Sequence, residues 1–119
     1  MKVAVKKSLG YAVTLLAAVG FSTGALAGAD VEAAKALAKQ NNCMKCHGID
    51  KDKDGPSFKK TAGKYKGKAD AEAKLVEHLT TGPKVKLADG TEDEHKVIKT
   101  SPPKDMAQIK NLIQFILEQ

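Results

Sequence analysis

Apolar residues near the end of the chain recur with the spacing of one face of an α-helix. The stripe consists of Ile109, Leu112, Ile113, Ile116 and Leu117. These positions follow the i, i+3, i+4, i+7, i+8 pattern of an amphipathic helix. Ser101 followed by Pro102 is typical of a helix cap and a first-turn proline. The pattern predicts a C-terminal helix that starts there and packs its apolar face against a core.

Three earlier segments also carry helix signals. Each begins after a side chain that can accept a hydrogen bond from the first turn, namely Asp30, Ser57 and Asp70. The helices are expected to reach about residues 40, 65 and 80, and Gly82 followed by Pro83 ends the third. Between it and the last helix, residues 82–99 have weak periodicity. Within them, 85–87 and 96–98 could pair as a small ribbon.

The first 27 residues have the order of a secretory signal peptide. A positive group is formed by Lys2, Lys6 and Lys7. An apolar run from about Leu9 to Phe21 follows, and Ala25-Leu26-Ala27 is a small-residue cleavage site. The run is too short for a stable membrane span. We expect export to the bacterial periplasm and a mature domain over 28–119, with an uncleaved membrane anchor as the alternative.

Composition restricts the functions of this mature segment. Its three aromatic residues are Phe58, Tyr65 and Phe115. A domain of this length with so few large side chains builds only a modest core. It has seventeen Lys against fourteen Asp and Glu, and no Arg. Without the guanidinium fork, and with so small a charge excess, nucleic-acid binding is not expected. Transient docking to an acidic protein is the more natural use of the lysines.

The chemistry is concentrated in Cys43-Met44-Lys45-Cys46-His47. In a C-x-x-C-H pattern, the two thiols can form thioethers to the haem vinyl groups, and the histidine then lies at one axial face of the iron. A thioredoxin-type pair would need a preceding strand and a βαβ context. A zinc site would need two of the three histidines at a spacing that is not a usual one. A disulfide between the two cysteines would be strained. The pattern therefore favours covalent haem c.

With its first helix leading into Cys43–His47, the chain resembles a small bacterial class I cytochrome c over essentially the whole mature segment. The other shared features are Gly55-Pro56-Ser57-Phe58, Tyr65-Lys66-Gly67 and the terminal amphipathic helix. The resemblance implies an all-α fold of three or four helices around one haem, with crossing terminal helices. It also implies that the carbonyl of Pro56 orients the proximal His47, a role that metal-bound histidines generally require.

The second axial ligand is where the chain departs from that family, which usually carries Met-Pro-Pro before the last helix. Here Ser101 stands in place of the methionine. Met106 lies three residues before Ile109, in phase with the core stripe, so it is either a packing residue or a thioether ligand. His95 lies in the long loop and is favoured as the ligand, with Met106, or neither, as alternatives. His78 is expected to be a partly buried surface histidine.

A haem with both axial positions filled has no open site for a substrate, and no catalytic constellation is visible. The sequence therefore predicts a soluble, monomeric, one-electron carrier that is not an enzyme. We expect lysines around the exposed haem edge, namely Lys45, Lys59, Lys60, Lys84 and Lys86. The alternatives are a haem-based binder or sensor of NO, CO or O2 with a labile distal ligand, and a metal-free thiol oxidoreductase.

Overall fold

The computed structural model describes residues 28–119, so the expected signal peptide lies outside the described residues. The helices are α1 (Val31–Gln40), α2 (Phe58–Tyr65), α3 (Ala71–Thr81) and α4 (Met106–Leu117). A 3₁₀ turn at Cys43–Lys45 follows α1, and the strands β1 (Lys84–Lys86) and β2 (Glu92–Glu94) separate α3 from α4. The predicted all-α class is confirmed. Across 28–119, no helix combines the length and apolar character needed to cross a membrane.

Two of the three predicted side-chain caps are formed. Asp30 Oδ1 and Ser57 Oγ each accept the backbone N–H three residues further on, at 3.0 and 3.1 Å. Asp70 does occupy the position before α3, but its side chain makes no capping bond. Its carboxylate instead pairs with Lys74 at 3.1 Å, one turn into the helix. All three helix starts were therefore predicted correctly from the local sequence, while the contact made by Asp70 differs from the prediction.

The predicted start of the last helix is wrong. The cap of α4 is Asp105, whose Oδ1 accepts the N–H of Gln108 at 3.2 Å, and Ser101 and Pro102 lie before the helix. The backbone N–H of Asp105 is itself bound by Thr100 Oγ1 at 2.9 Å. This contact closes a turn over residues 100–105, which includes Pro102, and the helix begins at residue 106.

The core is organised around α4, which contacts α1, α2 and α3. Its fully buried side chains are Ile109, Leu112 and Ile113. One apolar cluster joins α4 to α1 and to Phe58 of α2, and a second joins it to Leu75 of α3. The expected contact between the terminal helices is confirmed, because α1 packs against α4. Val31, the first residue of α1, is 40% exposed and does not enter the core.

The two strands form a small antiparallel ribbon, but only one of its strands was predicted. Lys84 lies opposite Glu94, and Lys86 lies opposite Glu92. Opposite charges across such a pair stabilise it. Residues 96–98, the predicted partner, are not in the ribbon. Ile98 instead packs against both core clusters and donates its N–H to the last part of α3 at 2.8 Å.

A substitution on the buried face of α4 tests this arrangement. Ile113→Ala should lower the free energy of unfolding by about 2–5 kcal/mol, because Ile113 is 1% exposed and its loss leaves a cavity. Gln114→Ala, on the exposed face of the same turn, should change it by less than about 0.5 kcal/mol. Denaturant titrations measure both values. Equal effects would show that α4 is not the centre of the core.

Candidate functional site

The helices and the loop after β2 enclose a cavity of about 730 Å³, within the usual range for a cofactor site. Apolar side chains from α2, α3 and α4 line it, including Phe58, Leu75 and Leu112. The predicted site residues that also line it are Cys43, Cys46, His47, Pro56 and His95. The structure therefore brings together side chains that are up to 52 positions apart in the sequence.

The end of α1 turns the two cysteines toward this cavity. Asn42 adopts a left-handed backbone conformation (φ 56°), which Asn tolerates better than most residues, and the 3₁₀ turn begins immediately afterwards. The N–H of His47 then donates to the carbonyl of Cys43 at 3.0 Å. Burial raises the pKa of the Cys43 thiol. A reactive redox thiol needs the opposite shift, so the thiol-oxidoreductase interpretation is disfavoured.

His47 is held in one orientation by Pro56. Its Nδ1 lies 2.6 Å from the Pro56 carbonyl oxygen. Because a carbonyl can only accept, Nδ1 carries the hydrogen, and in the neutral imidazole the lone pair that a metal can bind is then on Nε2. The ring also stacks on Phe58 with 5.7 Å between the two ring centroids. The hydrogen bond expected from the sequence resemblance is therefore formed.

Sequence reasoning did not identify Gly55 as a site residue. A Cβ on Gly55 would lie 2.7 Å from His47 Cε1 and 3.0 Å from its Nδ1. The N–H of Gly55 also donates to the Cys46 carbonyl at 2.8 Å. Glycine is therefore required for the chain to pass this close to the imidazole. The feature of the sequence that could have identified Gly55 as a site residue was its position directly before Pro56.

His95 lies in the same cavity and is held in a similar way. Its Nδ1 lies 2.9 Å from the carbonyl oxygen of Lys96, which again leaves Nε2 without a hydrogen. Its backbone N–H donates to the carbonyl of Pro83 at 2.8 Å. Burial lowers the pKa of His95 and so favours the neutral imidazole, the form that binds metals. A Cβ on Gly82 would meet the His95 carbonyl at 2.8 Å, so glycine permits this contact.

The spacing of the two imidazoles fits one metal ion between them. Their ring centroids are 6.1 Å apart. With metal–nitrogen bonds of about 2.0 Å and about 1.2 Å from nitrogen to ring centre, opposite ligands would have centroids about 6.4 Å apart. The spacing of His47 and His95, and the backbone carbonyls at their Nδ1 atoms, would suit two nitrogen ligands of one haem iron.

Met106 lies away from this site. It is the first residue of α4, is 40% exposed and is not among the residues lining the cavity. Because Met106 is this exposed, it also agrees only weakly with the alternative prediction that it packs into the core. His78, on α3, is half-buried as predicted, and its ring centroid lies 4.3 Å from that of His95. Burial, followed by the neighbouring His95, lowers the pKa of His78.

The lysines at the cavity differ in part from those expected. Those that line it are Lys45, Lys60, Lys64, Lys86 and Lys96. Lys59 and Lys84 were expected there but do not line it, while Lys64 and Lys96 were missed. Lys64 follows Lys60 by one helical turn, which was a usable signal. The acidic residues on the same lining are Asp54, Asp93 and Glu94, so positive charge is in excess.

Comparisons with known proteins agree with this geometry. The family model described as Cytochrome c matches residues 31–119. Cytochrome c-551 of Pseudomonas aeruginosa is 39% identical over 72 residues, which cover 60% of this chain and 67% of that protein. Cytochrome c2 of Rhodocyclus tenuis is 45% identical over 47 residues, which cover 40% of this chain and about half (51%) of that protein.

Solved structures show the same likeness. The crystal structure of the class 1 cytochrome MtoD from Sideroxydans lithotrophicus ES-1 superposes with a TM-score of 0.70 at 59% identity. The match covers 76% of this chain and 96% of that one. Wild-type cytochrome c552 of Nitrosomonas europaea superposes with a TM-score of 0.55 at 29% identity, covering 70% of this chain and 95% of that one.

The close approach of Gly55 to His47 can be tested with a matched pair of glycines. Gly55→Ala should displace the imidazole, lower the low-spin fraction of the haem-loaded protein and cost about 1–3 kcal/mol of stability through overpacking. Gly63→Ala in α2 is the control, because a Cβ there meets nothing within 4 Å. It should leave the spectrum unchanged. Optical spectra and thermal unfolding measure both effects, and a native spectrum for Gly55→Ala would contradict the contact.

Proposed function

Because the chain belongs to the cytochrome c family, we propose that it is an exported, periplasmic one-electron carrier between redox proteins. Covalent haem c is the cofactor of this family, and it supplies the one-electron chemistry by alternating between the ferric and ferrous states. The observation that carries the proposal is the pair of imidazoles 6.1 Å apart, both with Nδ1 bound to a backbone carbonyl. His47 is the last residue of the C-x-x-C-H motif, and the two cysteines of that motif line the same cavity.

For attachment, we assign the thioether bonds to Cys43 and Cys46 and the proximal axial bond to His47. Pro56 orients the His47 ring through its carbonyl, so the imidazole is presented to the iron in one tautomer. Attachment of haem c follows export in bacteria, which agrees with the signal-like sequence of residues 1–27. We propose that this segment is cleaved after Ala27.

For the distal side, we assign the second axial bond to His95 rather than Met106. His95 lines the same cavity as His47, with its ring centroid 6.1 Å from that of His47, whereas Met106 lies outside the cavity and is 40% exposed. Two protein ligands leave no open position for NO, CO or O2. The comparisons, all to cytochromes, do not favour the gas-binding alternative either.

For electron transfer, the exposed edge of the cavity is the natural contact point with a partner. Five lysines against three carboxylates on its lining give this surface an excess of positive charge. Complementary charge increases the rate of association more than it increases affinity. We therefore propose that a monomer of this protein docks transiently to acidic redox proteins.

The distal ligand can be tested by two substitutions. His95→Ala should convert the low-spin spectrum to a high-spin one, because one axial nitrogen is lost. Met106→Leu should leave the spectrum intact. Thioether ligation raises the potential of a c-type haem. The wild-type protein should therefore have a lower potential than Met-ligated carriers, and redox titration measures it.

His78→Ala is the control for nonspecific disturbance, because His78, which is on α3, lies beside His95. It should retain low-spin haem. The opposite pattern, with a native spectrum in His95→Ala and a high-spin one in Met106→Leu, would make Met106 the ligand and the assignment of His95 wrong.

The docking surface can be tested with an anionic electron acceptor, ferricyanide. Replacing Lys45 and Lys86 together by Glu should slow oxidation of the ferrous protein, because both line the cavity. The rate of the wild type should fall as ionic strength rises, since screening acts over about 10 Å at 0.1 M salt.

The control carries the same change in net charge elsewhere. Lys35→Glu combined with Lys39→Glu reverses two exposed charges on α1 that do not line the cavity. It should have a much smaller effect on the rate measured by stopped flow. Equal slowing by both pairs would mean that overall charge, and not this surface, steers the reagent.

A further inference from the structure

Asn41 joins the two sides of the cavity through its side-chain amide. Its Oδ1 accepts the backbone N–H of Lys99 at 2.8 Å, and its Nδ2 donates to the Lys99 carbonyl at 3.0 Å. Nδ2 also donates to the Leu37 carbonyl at 3.0 Å, at the end of α1. The amide therefore pairs with Lys99 in the way that one strand pairs with another.

The two ends of this contact belong to opposite sides of the site. Asn41 lies two residues before Cys43, at the start of the attachment loop, and Lys99 lies four residues after His95. Segment 95–99 is also held by backbone bonds from His95 to Pro83, just after α3, and from Ile98 to Leu79 in α3, each 2.8 Å, and by the packing of Ile98 against both core clusters. In the described part of the chain, the side-chain hydrogen bonds between segment 95–99 and residues outside it are those made by Asn41.

We propose that Asn41 is a positioning residue for the distal ligand, an inference that rests on the proposed role of His95. The thioethers and His47 hold the attachment loop to the haem. The bonds from Asn41 to Lys99 then limit how far the segment bearing His95 can move from the iron. Movement of this segment away from the end of α1 breaks these two hydrogen bonds. Asn41 thus slows dissociation of His95 without touching the iron.

Asn111 provides a matched control, because it makes the same paired contact at another place. Its Oδ1 accepts the N–H of Asp30 at 2.8 Å, and its Nδ2 donates to the Asp30 carbonyl at 3.0 Å. This pair joins α4 to the start of α1 and does not involve segment 95–99. Removing it should affect overall stability to a similar extent without affecting the distal ligand.

The experiment measures how often the distal position opens. Cyanide binds ferric haem only when the distal ligand has left, so its rate at saturating cyanide reports dissociation of that ligand. In Asn41→Ala, we expect this limiting rate to rise about tenfold, the equivalent of about 1.4 kcal/mol lost from two hydrogen bonds. In Asn111→Ala, we expect a change of less than about twofold, with a comparable drop in thermal midpoint.

Asn41→Asp is the control for a cavity or folding effect. It keeps the side-chain volume and the oxygen that accepts the Lys99 N–H, but it loses both N–H donors of the amide. It should also accelerate cyanide binding. Wild-type rates in both Asn41 variants, or an equal rise in Asn111→Ala, would overturn the proposal. Failure of both Asn41 variants to yield holoprotein would make Asn41 a folding residue and also overturn it.

A separate measurement distinguishes an error in the ligand assignment from an error in the role of Asn41. His95→Ala should bind cyanide without the slow opening step. If it binds at the wild-type limiting rate, His95 is not the distal ligand and the proposed function is wrong at that point. If it binds fast while the Asn41 variants behave as wild type, the ligand assignment stands and only the role of Asn41 is wrong.

Discussion

The hydrogen bond between His47 and the carbonyl of Pro56 is the contact on which the site depends. It decides which imidazole nitrogen is left for a metal. It also brings the backbone at Gly55 so close to the ring that a Cβ at this position would lie 2.7 Å from His47 Cε1. The backbone bond from Gly55 to Cys46 and the capping of α2 by Ser57 hold that passage in place. A loop with a side chain at residue 55 could not make the same approach.

The helices provide the rigid frame for this contact. Because α4 packs against the other three helices, the two apolar clusters meet along it. Ile98 reaches both clusters, and this anchors the segment that carries His95 only three residues earlier. The cavity borders this small core and shares side chains with it, among them Phe58, Leu75 and Leu112. Residues 28–119 contain three aromatic side chains and build a modest core, which covalent haem would extend there.

Charge is separated from this interior. Burial raises the pKa of Cys43 and lowers the pKa values of His78 and His95, so each of these groups is favoured in its neutral form. Neutral imidazole is the form that metals bind, and a neutral surrounding avoids the cost of an unpaired buried charge. The lysines and carboxylates remain at the rim, where water solvates them and a partner can meet them. The proposed ligand binding and partner docking would thus use different groups of the same cavity.

Elements that depend on neighbouring residues can be predicted from the sequence alone. The C-x-x-C-H motif, the apolar stripe of α4 and the helix starts at Asp30 and Ser57 each extend over nine positions or fewer, so their periodicity and capping chemistry are visible locally. Which residues meet around the cavity depends on tertiary packing. The ring centroid of His95 lies 6.1 Å from that of His47, and Ile98, three residues after His95, packs against both core clusters. Asn41 reaches Lys99 across 58 positions. Such contacts leave no periodic signal, because they arise from how the packed helices bring distant loops together.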